Sequence, residues 1–325
     1  MAPDPDPAVA QPPVDILPID ISAYAAGNTG VPYVTTFDSG RSGPHVMVNA
    51  LTHGNELCGA YALDFLFSHD VRPRRGRLTL SFANVAAYEA FDPDDPAASR
   101  YLDEDLNRLW SPEVLGEDRP SRERERARAL RPVVESADYL LDIHSMQLAS
   151  PALMLCGVLD KGRRLAREVG VPVHVVADAG HKAGARMRDY GAFSDPASPR
   201  TALLVECGQH WAKESVEVAR ETTLRFLDRL GAVDPEFAAA HTNGPPPAQR
   251  LIEVTGRATI ETDAFVFAAD YRGLELIPEA GTVIGRDGDR PVRTPHDDCV
   301  LVMPSRRLKK GQTAVRFGRF VDGAG

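Results

Sequence analysis

The chain has no apolar run near the ~20 residues needed to cross a membrane, and no long basic run. A nucleic-acid or anionic-membrane role therefore has no support in its charge, which is −9 overall. Only four cysteines occur among 325 residues: Cys58, Cys156, Cys207 and Cys299. They are far apart and form no C-x-x-C. A disulfide framework or a cysteine-held metal is therefore not expected, and the default compartment is the cytoplasm. The opening stretch "MAPDPDPAVAQPPVD" lacks the basic and apolar regions of a signal peptide. Residues 1–14 are expected to be a disordered tail.

What remains is an ordinary globular composition, 43% hydrophobic and 26% charged, enough for a sizeable core. Short β-branched runs alternate with helical patterns. Strands are expected at 45–51, 78–83, 139–143, 152–156, 173–176 and 202–205. Helices are expected at 57–67, 121–130, 162–168 and 213–230. The charges of "SRERERARAL" read as a solvated face, with Pro132 ending or kinking the helix. This alternation predicts an α/β domain over 15–235 with a largely parallel or mixed sheet. A proline-rich linker is expected at 236–249. Short alternating strands over 250–325 predict a smaller C-terminal β domain.

The chemistry starts in "VMVNALTHGNELCGAYALDFLF", where a strand hands over to a helix. His53 and Glu56 lie three apart in that turn, at the place where open α/β sheets put their sites. An imidazole nitrogen and a carboxylate oxygen both suit zinc. A glutamate in a helix's first turn beside an incidental histidine is the plainer reading. A catalytic zinc needs a third ligand. His144 ends the apolar strand "YLLDIHSM" much as His53 follows its own strand, and His181, His210 and His296 stay open as alternatives. Asp142 shares a strand face with His144 and could hold its imidazole. Glu206 ends the aliphatic run "TALLVE", a costly place for a carboxylate unless it is paired or used. The segment "ASRYLDEDLNRLW" gathers Arg100, Asp105, Asn107 and Arg108. That set can bind a carboxylate, or form only local surface pairs.

In this order, His53-x-x-Glu56, Arg100 to Arg108, Asp142-x-His144 and Val205-Glu206-x-Gly208 resemble the aspartoacylase/succinylglutamate desuccinylase family, of the zinc-carboxypeptidase-like superfamily. The resemblance covers Val46 to Leu230 well and the C-terminal part in outline. It implies a mixed-sheet, zinc-carboxypeptidase-like catalytic domain followed by a β domain that shapes access to the site. It implies one Zn²⁺ per chain on His53, Glu56 and His144, with Glu206 as general base and then acid. Arg100 would stabilise the oxyanion, Asn107 and Arg108 would grip a substrate carboxylate, and Asp105 would orient a ligand. The implied reaction is hydrolysis of a small N-acylated amino acid or related N-acyl amine. A peptide-trimming metallocarboxypeptidase and a non-catalytic zinc-binding homologue are the rival readings.

Two family features find no direct match. One is an arginine before the catalytic glutamate, for which Arg186 and Arg188 in "GARMRDYGAF" are the candidates. The other is a tyrosine from the C-terminal part; Tyr271 is the only tyrosine there and sits at a different place. The expected partner is a small carboxylate-bearing molecule rather than nucleic acid or membrane. A homo-oligomer stays open.

Overall fold

The computed structural model describes residues 12–180 and 183–321. Residues 1–11 of the expected tail, and His181, lie outside the described residues. Fourteen strands follow one another: β1 Val34–Asp38, β2 His45–Ala50, β3 Arg77–Phe82, β4 Tyr139–Met146, β5 Leu153–Leu155, β6 His174–Ala177, β7 Thr201–Gln209, β8 Arg250–Thr259, β9 Phe265–Phe267, β10 Leu276–Ile277, β11 Val283–Asp287, β12 Arg290–Arg293, β13 Cys299–Val302 and β14 Thr313–Val321. Seven α-helices accompany them: α1 Cys58–Ser68, α2 Val85–Glu89, α3 Pro112–Gly116, α4 Arg122–Ser136, α5 Asp160–Val169, α6 Lys213–Arg229 and α7 Pro235–Ala240.

Eleven strands form one mixed sheet in the order β1-β3-β2-β4-β7-β5-β6-β8-β14-β13-β10. Its centre is parallel: β3, β2, β4 and β7 run the same way. Such strands need cover on both faces and so read as near-continuous apolar runs, as β2 and β4 do. One face packs under α1, α5 and α6, through residues such as Leu63, Leu165 and Phe226. The other packs under α4, where Ala127, Leu130 and Val134 meet Met47, Leu140 and Ala202.

The C-terminal residues are strands, as their alternation suggests, but they do not stand apart from the main sheet. β8 pairs in parallel with β6, and β14, β13 and β10 continue the same sheet. Only β12-β11-β9 form a separate small antiparallel sheet.

Three local expectations are corrected. First, α4 runs through Pro132 to Ser136. Pro132 and Arg128 are both exposed, so water can satisfy the carbonyl that loses its partner, while the buried stripe continues to Val134. Second, the charges of α4 are not all on a solvated face. Glu123 and Arg124 are fully buried. Glu123 accepts the backbone N–H groups of Leu102, Asp103 and Glu104 and the Asn84 amide. Arg124 pairs with Glu104 and Glu117. Third, the expected linker contains part of α7, which Asp234 caps and Pro235 starts.

Candidate active site

The sheet's parallel centre brings the strand ends together. Leu51 leaves β2 with φ 59, a left-handed conformation that is costly for leucine, and turns the chain toward His53. Gly54 fits the turn because a Cβ there would lie 2.5 Å from the Ser99 carbonyl oxygen. Its N–H donates to the Arg100 carbonyl at 3.1 Å, which ties this turn to the Arg100–Arg108 segment. In the β4–β7 pairing His144 lies opposite Glu206, and the register slips just beyond, re-aiming the strand ends.

His53, Glu56 and His144 are all buried, and one ligand atom from each lies within 4.8 Å of the others. His53 Nδ1 lies 2.7 Å from Glu56 Oε1, and His144 Nδ1 lies 2.8 Å from Glu56 Oε2. The opposite nitrogens are held by other acids. His53 Nε2 is 3.0 Å from Asp105 Oδ1, and His144 Nε2 is 2.8 Å from Asp142 Oδ2. Asp142 also accepts from Asn49 and Thr52. An imidazole that gives one nitrogen to a carboxylate and turns the other inward is the arrangement of a metal ligand. The donor set therefore fits a divalent ion such as zinc, held by two nitrogens and a carboxylate with room for a further ligand.

Charges in this cluster are strongly coupled. Burial alone would raise Glu56, but His53 and His144 hold it well below the usual carboxylate range. Burial alone would lower His144, but Asp142 and Glu56 raise it well above an ordinary histidine. Glu206 differs. Burial pushes it up to about 8, against the pull of His144 and Arg100, and its Oε2 has no hydrogen-bond partner among the described residues.

A pocket of about 340 Å³ opens over this cluster. Arg100, Asp105, Asn107, Arg108, Arg186 and Glu206 all line it. Arg100 donates to Glu56 at 3.0 Å and lies 2.8 Å from His53 Nε2. Asn107 accepts the Met187 N–H at 3.0 Å, and Arg108 donates to the Asn107 carbonyl at 2.7 Å. Arg188 is not brought to the cavity. It donates to the Cys156 carbonyl at 2.7 Å and pairs with Asp189 behind the wall. Of the other histidines, His210 reaches the pocket but pairs with Ser145 at 2.8 Å, and burial pushes it down to about 3, so it is neutral. His296 pairs with Thr255 far down the chain. Tyr271 packs against Phe267 in the C-terminal core. Sequence reasoning missed Arg316, on β14, which also lines the pocket, and the buried Asp178 beneath it.

A mixed sheet whose strand ends gather a His–Glu–His group under a small pocket defines a class: mixed-sheet α/β proteins with a candidate metal centre. Within it, residues 42–230 match the succinylglutamate desuccinylase/aspartoacylase catalytic domain. The chain belongs to that family of metal-dependent deacylases. A succinylglutamate desuccinylase of Paraburkholderia xenovorans is 27% identical over 286 residues, covering 83% of this chain and 79% of that one. The structure of succinylglutamate desuccinylase from Vibrio cholerae superposes with a TM-score of 0.67 at 18% identity, over 90% of this chain and 86% of that one. Murine aminoacylase 3 gives 0.59 at 18%, over 86% and 96%. At these identities the two structural likenesses speak for the fold. Among the described residues no helix is long and apolar enough to cross a membrane.

Proposed function

We propose that the protein hydrolyses the amide bond of a small N-acylated amino acid or related N-acyl amine, releasing a carboxylic acid and an amine. The observation that carries this reading is Glu206. It is a buried carboxyl with a free oxygen, placed opposite His144 in a pocket that also holds Arg100. The relatives' names, a desuccinylase and an aminoacylase, point the same way.

A zinc ion on His53, Glu56 and His144 would supply Lewis acidity and a water that ionises near neutral pH. The protein's own groups do the rest. Asp105 and Asp142 fix the two imidazoles. Arg100 is raised further above its ordinary value by Asp105 and Glu56 despite its burial, so it stays cationic. It donates to the carbonyl oxygen as negative charge gathers there. Glu206 accepts a proton from the attacking water and passes it to the departing nitrogen, since an amine anion is too basic to leave. Asn107, Arg108 and Arg186 face the substrate's carboxylate. The pocket's volume suits a small molecule rather than a peptide chain.

The test is amine release from N-acetyl, N-formyl and N-succinyl amino acids, their carboxyl-amidated versions and short peptides, with and without a chelator. Chelator-sensitive release from an acylated amino acid, and not from its amidated version, is expected. Release from peptide C-termini alone would replace this reading with a carboxypeptidase.

A further inference from the structure

Beside Glu206 the pocket wall is made of guanidiniums. Arg108, Arg186 and Arg316 line it, and Arg188 shares Asp189 with Arg186. Two carboxylates serve three of these four cations. Asp178 is 2% exposed, and its Oδ2 lies 3.0 Å from Arg316 Nε and 3.5 Å from Arg186 Nη1. Asp189 takes Arg186 Nε at 2.6 Å and also pairs with Arg188. Asp105, the acid whose charge acts on Arg108, is already engaged with His53 and Arg100. Positive charge is therefore in excess in a mostly buried place, within a protein whose net charge is −9. Arg186 is 4% exposed, and its Nη2 has no acceptor among the described residues. A buried donor without an acceptor is costly, so this wall is built for an anion it does not itself contain.

We propose that Arg316, delivered by the C-terminal strand β14, is a substrate-recognition residue. With Arg186 it grips one carboxylate of the substrate, and Asp178 is the positioning residue that holds the two guanidiniums side by side. The proposal rests on the deacylase reading of the same pocket. Two like charges repel, and Asp178 offsets that repulsion from below with a single oxygen. Arg316 lies outside the matched residues 42–230. The family resemblance implies a tyrosine from this part of the chain, which would offer one neutral hydroxyl. An arginine offers a charged fork that matches a carboxylate. The pocket should therefore demand an ionised carboxylate and reject its amide.

The test uses full-length, metal-loaded protein with the best N-acyl amino acid from the substrate panel and its carboxyl-amidated analogue. Arg316→Met should raise KM for the acid by about tenfold or more, the range for a lost hydrogen bond to a charged group. Its kcat, metal content and melting temperature should be nearly unchanged. Arg316→Lys should recover part of the loss. Asp178→Asn should raise KM less than Arg316→Met does, again at near-constant kcat. On the amidated analogue neither wild type nor Arg316→Met should show measurable release. An unchanged KM for the acid in Arg316→Met would overturn the proposal, as would a fall in kcat as large as the rise in KM. Should wild type hydrolyse none of the panel, the deacylase reading falls first. Calorimetric binding of N-acetylglutamate then decides this proposal separately: loss of binding in Arg316→Met supports it, and equal binding overturns it.

Discussion

Two walls of one pocket differ in how their charges are satisfied. On the imidazole wall, each ring nitrogen of His53 and His144 has a carboxylate within 3.0 Å. On the guanidinium wall, Arg186, Arg188 and Arg316 share Asp178 and Asp189, and one nitrogen of Arg186 is left over among the described residues. The first wall is arranged so that an ion can replace the protons shared between its imidazoles and Glu56. The second comes to balance only when an anion arrives. On the proposed reading chemistry and recognition are separated in space, and the Glu206 carboxyl feels both walls, through His144 and Arg100 at the first and Arg186 at the second.

The largest break in this contrast is expected from His144→Ala. It removes one of three donors, so metal occupancy after dialysis should fall to background and turnover with it. Arg316→Met should keep its metal. Full occupancy in His144→Ala would take that residue out of the metal centre. A milder break is Asp142→Asn, which leaves the ligand but weakens the group that orients it. Competition against a chelator should show metal affinity down by about 10–100-fold, the usual cost of losing such a partner. Unchanged affinity would reduce Asp142 to a packing role.

Activity against pH sharpens the comparison. Glu206 must be ionised to accept a proton, and burial places its pKa at about 8 without metal. A nearby dication favours the carboxylate and moves that point lower. The rate should therefore fall as pH falls, with a midpoint below 8. A rate that rises toward acid would contradict a carboxylate base.

The smallest effect lies outside both walls. His45, at the start of β2, is buried, and burial together with Arg77 lowers its pKa below 6.5. Below pH 6.5 the unfolded chain takes up a proton that the folded chain does not. Its contribution is therefore complete above 6.5 and declines as pH falls. In urea melts of chelated protein, wild type should lose more stability than His45→Gln between pH 7.5 and 5.5. Parallel losses would mean that His45 does not titrate on unfolding.

The imidazole wall was largely legible in the sequence, because its residues stand where apolar strands end. His53, His144 and Glu206 interrupt or follow buried runs, and Asp142 sits two residues before His144 on the same strand. Of the guanidinium wall, Arg108, Arg186 and Arg188 stood in segments already singled out, but Arg316 was hidden. Arg316 lies in "TAVRFGRF", where alternation makes an arginine look like an ordinary outward residue. Only the pairing of β14 with β8, and of β8 with β6, brings it to the pocket. Asp178 did carry a signal, since it follows the apolar strand β6 as Glu206 follows its own aliphatic run. The α/β alternation was likewise plain from periodicity, whereas β1, β11 and β12 were not foreseen. β1 is a half-buried strand pairing only with β3, and β11 and β12 are exposed in part, so none carries a strong apolar pattern. Glu123 was hidden in the same way. A glutamate in a charged run looks solvated until a loop from elsewhere in the chain folds its amides onto it.

The most direct test of the account is a paired measurement on wild type and Glu206→Ala: metal per chain, and amine release from the same preparations. About one zinc is expected in both proteins, with release in the variant lower by at least ~10²-fold. Near-normal release at full metal occupancy would contradict it, because the proton would then travel by a route that does not use Glu206.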